Sequence, residues 1–170
     1  PLLKRKNQGE NKPTFGQKIQ MDESRRMLVI SGPNAGGKSI TLKTLGLFQL
    51  MVQSGMFIPA KENNTFCLFS QIYSEIGDNQ SIENELSTYS YRLTRMKKFL
   101  ALSNPETLLL LDEFGTGSDP DLGGALAEAF FESLYRKKIF AILTTHYSNI
   151  KSRAVQLPQA VNGCMLFNPI

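Results

Sequence analysis

Met27-Leu-Val-Ile-Ser-Gly-Pro-Asn-Ala-Gly-Gly-Lys-Ser39 joins a short apolar run to a glycine-rich loop that ends in Lys-Ser. Residues Gly32 to Ser39 match the pattern G-x-x-x-x-G-K-[ST] in full, directly after a strand-like segment and at the opening of a helix-like one. Chemistry accounts for the composition. A loop that wraps its backbone N–H groups round phosphates needs glycine for close approach and unusual dihedrals. A helix starting near Gly37 would aim its positive end at the same anion. Gly32, Pro33, Asn34, Ala35, Gly36, Gly37, Lys38, Ser39 and Ile40 are therefore the expected nucleotide-binding residues. Lys38 would reach the β- and γ-phosphates, and the Ser39 hydroxyl would ligate Mg²⁺.

Outward from this loop, strand and helix patterns alternate. Met27–Ile30 and Leu108–Leu111 are apolar runs of the kind found in parallel strands covered on both faces, and Ile139–Leu143 is a third. Ile40, Leu42, Leu45, Phe48 and Met51 recur at mostly three-residue steps and stop at Ser54-Gly55, a left-handed helix end. Tyr89, Leu93, Met96 and Leu100 predict one apolar stripe of a helix running to Leu102, with Ser87-Thr88 just before it. Leu122, Ala125, Leu126, Ala129 and Phe130 predict another after Asp119-Pro120, where proline suits the first turn. Phe57 to Ser74 is apolar enough for one or two more strands, its aromatics Phe57, Phe66, Phe69 and Tyr73 reading as core, and Val161 to Phe167 for a last one. This order predicts an α/β fold, a largely parallel sheet flanked by helices.

The 170 residues fit one domain, with residues 1–26 as a lead-in and 27–150 as the phosphate-loop core. The start on Pro1 and the stop at Pro169-Ile170 read as those of a piece of something longer. Two cysteines and one histidine exclude a disulfide scaffold or a structural zinc site, and favour a reducing cytoplasm. Apolar runs such as Leu108–Leu111 fall far short of the roughly 18 residues of a membrane span. Residues 1 to 61 carry ten basic and three acidic side chains, against nine and twelve in the remainder. Lys4-Arg5-Lys6, Lys97-Lys98 and Arg136-Lys137-Lys138 read as solvated faces, so any DNA binding by this segment would be weak and salt-dependent.

Beyond the loop, chemistry concentrates at two strand ends. Asp112-Glu113 follows four leucines, at the carboxyl edge where open α/β sheets hold ligands. Asp112 is the expected Mg²⁺ partner, and Glu113, pointing the other way, the general base for an attacking water. His146, the only histidine, follows Thr144-Thr145 at the same edge, within reach of the γ-phosphate or that water. Loop, hydroxyl-bearing helix start, acid pair and histidine occur in the order of ATP-binding-cassette-type ATPases, whose sites close in a dimer. A transporter motor is disfavoured by the span of only about 50 residues between Lys38 and Ser87. A small-molecule kinase would need an acceptor pocket and an arginine-bearing lid, and the stretch between Lys38 and the acid pair offers only Arg92 and Arg95, on a helix that reads as packed.

Ser31-Gly-Pro-Asn-Ala-Gly-Gly-Lys-Ser-Ile-Thr-Leu-Lys43, Gln53-Ser-Gly-Met-Phe-Ile-Pro-Ala60, Leu86-Ser-Thr-Tyr-Ser90, Leu111-Asp-Glu-Phe-Gly-Thr-Gly-Ser-Asp-Pro120 and Thr144-Thr-His-Tyr147 resemble the ATPase domain of the MutS family of DNA mismatch-repair proteins, from about Met27 to Ile150. Gly115-Thr-Gly-Ser-Asp-Pro120 and Ile76-Gly-Asp-Asn-Gln-Ser-Ile82 are more similar to the bacterial branch that carries a C-terminal Smr domain. The mismatch-correcting branch usually reads Gly-Arg-Gly-Thr-Ser at the former position. The resemblance implies a P-loop NTPase of ATP-binding-cassette type, a Mg²⁺-dependent ATPase weak in isolation, working as a homodimer that couples ATP to DNA bound by other parts of the parent. It implies Asp112 and Ser39 for metal, Glu113 for water, Lys38 and His146 for the γ-phosphate, and Ser87, Thr88 and Asp119 across the dimer interface. Either Gln71 or Gln80 would lie near the metal. The alternative function is a nucleotide-gated dimerisation module on another nucleic-acid assembly such as the ribosome, with hydrolysis secondary.

Overall fold

A computed structural model of the chain describes residues 16, 18–33, 36–77, 85–115 and 120–165. Five strands form one sheet: β1 Met27–Ser31, β2 Gln71–Glu75, β3 Thr107–Leu111, β4 Phe140–Thr144 and β5 Ala160–Cys164. Four helices accompany them: α1 Lys38–Gln53, α2 Glu85–Leu102, α3 Pro120–Arg136 and α4 Ser148–Gln156. The strands lie in the order β2-β3-β4-β1-β5, and every neighbouring pair is parallel. The expected α/β fold with a parallel sheet is what the chain adopts, and it is consistent with a P-loop NTPase.

Strand periodicity explains the layering. Successive side chains of a strand point to opposite faces. Met27, Val29, Leu109, Leu111, Ala141 and Leu143 accordingly share one core with Phe99 of α2, Ala127, Phe131 and Leu134 of α3, and Ile150 and Ala154 of α4. Their even-numbered neighbours Ile30, Leu108, Leu110, Phe140 and Ile142 pack on the other face against Leu42 of α1. β3 and β4 are buried at every position, as their unbroken apolar runs require.

Several boundaries differ from the sequence expectation, each for a local reason. The inward stripe of α1 is Lys38, Thr41, Leu42, Gly46 and Gln49, whereas Ile40 is exposed. Gly46 lies so close to the sheet that a Cβ there would stand 2.7 Å from Leu110 Cδ1. Among the described side chains of α2 the most buried apolar one is Phe99, with Met96 and Leu100 flanking it; the side chain of Tyr89 lies outside the described residues. Helix α2 is described over Glu85–Leu102, so the backbone of Ser87 and Thr88 lies within it rather than ahead of it. Between Phe57 and Ser74 only β2 forms. The preceding stretch is held by α1 side chains instead: Gln49 Nε2 donates to the Cys67 carbonyl (2.7 Å), and Gln53 exchanges two bonds with the Phe69 backbone (3.0 and 2.9 Å). Those amides do the work of a strand partner. Phe69 and Tyr73 pack on the two cores, but Phe57 is 99% exposed, against the expectation that it is core. Ser54-Gly55 does end α1: Gly55 has φ +73°, its N–H donates to Val52 and that of Met56 to Met51.

Candidate functional site

Parallel strands send all their carboxyl ends to one edge, and at that edge the sequence concentrates its polar chemistry. β1 runs into the glycine loop, β3 into Asp112-Glu113 and β4 into Thr145-His146. Because β4 lies between β1 and β3, His146 emerges between loop and acid pair. Two strand spacings, about 10 Å, separate the strands that carry those two groups. That gap suits an extended polyphosphate.

The loop is shaped by glycine at three points. Gly32 has φ +132°, and a Cβ there would meet the Met165 carbonyl at 2.9 Å. Gly36 closes a turn through its N–H to the Pro33 carbonyl (2.9 Å). Gly37, at φ +78°, is the left-handed N-cap of α1. Met165, just past β5, backs the loop: its N–H donates to the Ser31 carbonyl (2.9 Å). No periodicity in the sequence points to that contact.

Lys38 is buried at 4% exposure in the first turn of α1, and its Nζ donates to the carbonyls of Gly32 (2.7 Å) and Pro33 (3.0 Å). A buried ammonium is costly unless satisfied, and the loop backbone satisfies it. Thr41 N–H closes an intrahelical bond to Gly37 (2.9 Å), and Lys38 to Ile40 form the opening turn of α1, the end of a helix that favours anions. Ser39 and Ile40 share this turn, Ser39 half-buried and Ile40 exposed. Asn34 and Ala35 lie outside the described residues.

Across β4, the acid-pair turn is docked by buried hydroxyls. Thr144 Oγ1 donates to Asp112 Oδ1 (2.6 Å) and accepts the Glu113 N–H (2.8 Å). Phe114 N–H donates to the Thr144 carbonyl (2.7 Å), and Thr145 Oγ1 to the Phe114 carbonyl (3.0 Å). Asp112 N–H completes the clamp, donating to the Glu75 carbonyl (2.8 Å). Glu113 adopts φ +50°, a left-handed conformation uncommon outside glycine. Asp112 and Glu113 are both half-buried, while His146 is exposed. Behind them Tyr147 packs against Gly115, where a Cβ would lie 2.9 Å from its ring. The two threonines and Tyr147 were not singled out from sequence for themselves; a polar doublet closing a wholly apolar strand is the signal that marks them.

The other anticipated residues distribute unequally. Gln71 opens β2 beside Thr107, whose hydroxyl donates to Gln71 Oε1 (3.3 Å). That is the amino edge of the sheet, roughly 13 Å from the carboxyl ends, so of the two glutamines Gln71 is removed as a neighbour of the metal. Gln80 and Asp119 lie outside the described residues, and of Ser87 and Thr88 only the helical backbone is described. Among the described residues no group of three or more His, Cys, Asp or Glu could hold a metal ion by itself. The donor set at this edge, one hydroxyl and one carboxylate from different elements, fits Mg²⁺, which is usually held by one or two protein oxygens plus phosphates and waters. No helix among the described residues is long and apolar enough to cross a membrane.

Comparison with known proteins places the chain in a family. Residues 28–167 match the family described as MutS domain V. A protein named Endonuclease MutS2 from Halothermothrix orenii is 48% identical over 150 residues, 88% of this chain and 19% of that protein. Proteins of the same name from Listeria innocua and Clostridium tetani are 44% and 45% identical over the same shares. The chain spans about a fifth of the length of these curated relatives.

Proposed function

This chain belongs to the MutS family, as a domain V, and from that premise we propose that it binds ATP at the edge between the glycine loop and the acid pair and hydrolyses it to ADP and phosphate. The observation that carries the reading is Lys38: a buried ammonium on the carbonyls of Gly32 and Pro33, in the first turn of the helix that the glycine loop opens. Backbone N–H groups of residues 32–40 cradle the phosphates, and Lys38 leaves the loop carbonyls for the β- and γ-phosphate oxygens. Ser39 and Asp112 would hold Mg²⁺, which when bound would neutralise charge building on the phosphates. Glu113 takes the proton of the attacking water, and His146, standing between the two halves, hydrogen-bonds the γ-phosphate or that water.

Closure is proposed to come from a second copy. The part of α2 with Ser87 and Thr88 and the segment of Asp119 are offered to the nucleotide of the partner, and each closing and opening is passed to DNA-binding parts of the longer protein. Replacing Glu113 with Gln tests the chemistry. Turnover is expected to fall by about 100-fold or more, the range for a removed general base, with ATP affinity retained. An unchanged rate overturns hydrolysis through Glu113, whereas lost turnover with partner exchange unaltered favours a nucleotide-gated dimerisation module in which hydrolysis is secondary.

A further inference from the structure

The clamp around the acid pair singles out one side chain that the proposed reaction does not itself use. Thr144 is the last residue of β4 and is fully buried, at 0% exposure. Its hydroxyl has one proton and two lone pairs. The proton goes to Asp112 Oδ1 (2.6 Å), and one lone pair receives the backbone N–H of Glu113 (2.8 Å). A single oxygen therefore fixes the carboxylate of one acid and the main chain of the next.

Both ends of that bridge matter to geometry. Asp112 has two carboxylate oxygens; anchoring Oδ1 limits rotation and leaves Oδ2 with a defined direction. Glu113 adopts φ +50°, which a non-glycine residue holds only where its surroundings fix it. The bond from Glu113 N–H to Thr144 is one such constraint, and the Phe114 N–H on the Thr144 carbonyl (2.7 Å) is the next. We propose that Thr144 is a positioning residue: its hydroxyl holds Asp112 toward the metal and Glu113 toward the water in one fixed relation. This rests on the reading of Asp112 and Glu113 given above, and it adds a residue from the neighbouring strand to their machinery. Thr144→Val keeps the branched shape but puts a methyl group where the bridging hydroxyl stood, whereas Thr144→Ser keeps the bridge and removes a methyl group.

The test compares wild type, Thr144→Val and Thr144→Ser in the full natural polypeptide that carries this chain. At saturating Mg²⁺ and ATP, Thr144→Val is expected to lower kcat by roughly tenfold or more, the scale of a lost charge-assisted hydrogen bond. KM for ATP and the affinity for ATP in EDTA stay within about twofold, because the glycine loop is untouched, while the Mg²⁺ concentration for half-maximal rate rises. Thr144→Ser restores kcat to near wild type. Amide hydrogen exchange at Glu113 supplies a readout independent of turnover: it accelerates in Thr144→Val and not in Thr144→Ser. A valine variant with wild-type kcat and Mg²⁺ dependence, a serine variant as impaired as valine, or unchanged exchange at Glu113 overturns the assignment. If wild type itself fails to turn over ATP, the ATPase reading falls, and the exchange comparison still decides whether Thr144 holds the acid pair.

Discussion

Gly115→Ala is expected to destabilise the chain far more than adding one methyl group usually does. Gly115 sits two residues past Glu113 at φ +90°, and a Cβ there would stand 2.8 Å from Ala127 Cβ and 2.9 Å from Tyr147 Cε2. Left-handed backbone costs an L-residue roughly 1–2 kcal/mol. Forcing a methyl between a helix and a ring adds about 1–3 kcal/mol. The stiffer unfolded chain returns about 0.4–1 kcal/mol. The net is about 3 kcal/mol, or roughly 6–12 °C in Tm for a chain of this size. Gly124→Ala is the internal control, because the same Tyr147 ring lies 3.5 Å from its Cβ position, an ordinary contact, and the residue is within α3. There the substitution gains helix propensity and raises stability by up to about 1 kcal/mol. Thermal melts followed by circular dichroism decide the matter: a Gly115→Ala variant melting within 2 °C of wild type, by the roughly 2–4 °C per kcal/mol scale, refutes the close packing of Tyr147 on the acid-pair turn.

Two further outcomes test packing and electrostatics elsewhere. Arg26, 9% exposed, donates Nη1 to the carbonyls of Lys138 (2.6 Å) and Pro105 (3.2 Å), pairs with Glu23 and lies 4.5 Å over the Phe140 ring; Arg26→Ala is expected to lower unfolding free energy by roughly 3 kcal/mol, read as a drop in urea midpoint at constant m-value. Burial pushes the Glu75 carboxyl up from its ordinary value of about 4.5, against the pull of Arg95 at 3.7 Å and of Arg92. The folded state then binds more protons than the unfolded state, so this group's contribution is fullest below about pH 4.5 and declines as pH rises through the raised value. Glu75→Gln removes that component, and the wild-type minus variant Tm difference therefore falls from acid toward neutral pH; a difference flat with pH contradicts it.

Much of the fold was legible because buried parallel strands leave unbroken apolar runs. Leu108–Leu111 and Ile139–Leu143 announced β3 and β4 to within a residue at each end. Pro120 marked the start of α3, and Gly55 the end of α1. The glycine loop and acid pair were legible for a different reason, since phosphate chemistry restricts residue types at fixed spacings. What escaped was polar or glycine burial. Gly46 and Gln49 face inward in α1 because one permits close approach to Leu110 and the other bonds the Cys67 carbonyl, neither of which hydrophobic periodicity registers. Phe57 carries the mark of core yet stands exposed, and Gln71 has the right side chain at the wrong edge of the sheet. Thr144 was read as the approach to His146; its bridge to Asp112 and Glu113 depends on a strand neighbour 32 residues away in sequence.

Titration calorimetry with magnesium-loaded ATP, on wild type and on Lys38→Ala confirmed folded by its melt, tests the central claim most directly. Saturable heat in wild type, with affinity weakened about 100-fold or more in the variant, is expected for a buried charge that meets phosphate oxygens. No heat in wild type, or equal affinity in the two proteins, contradicts a nucleotide seated between the glycine loop and the acid pair.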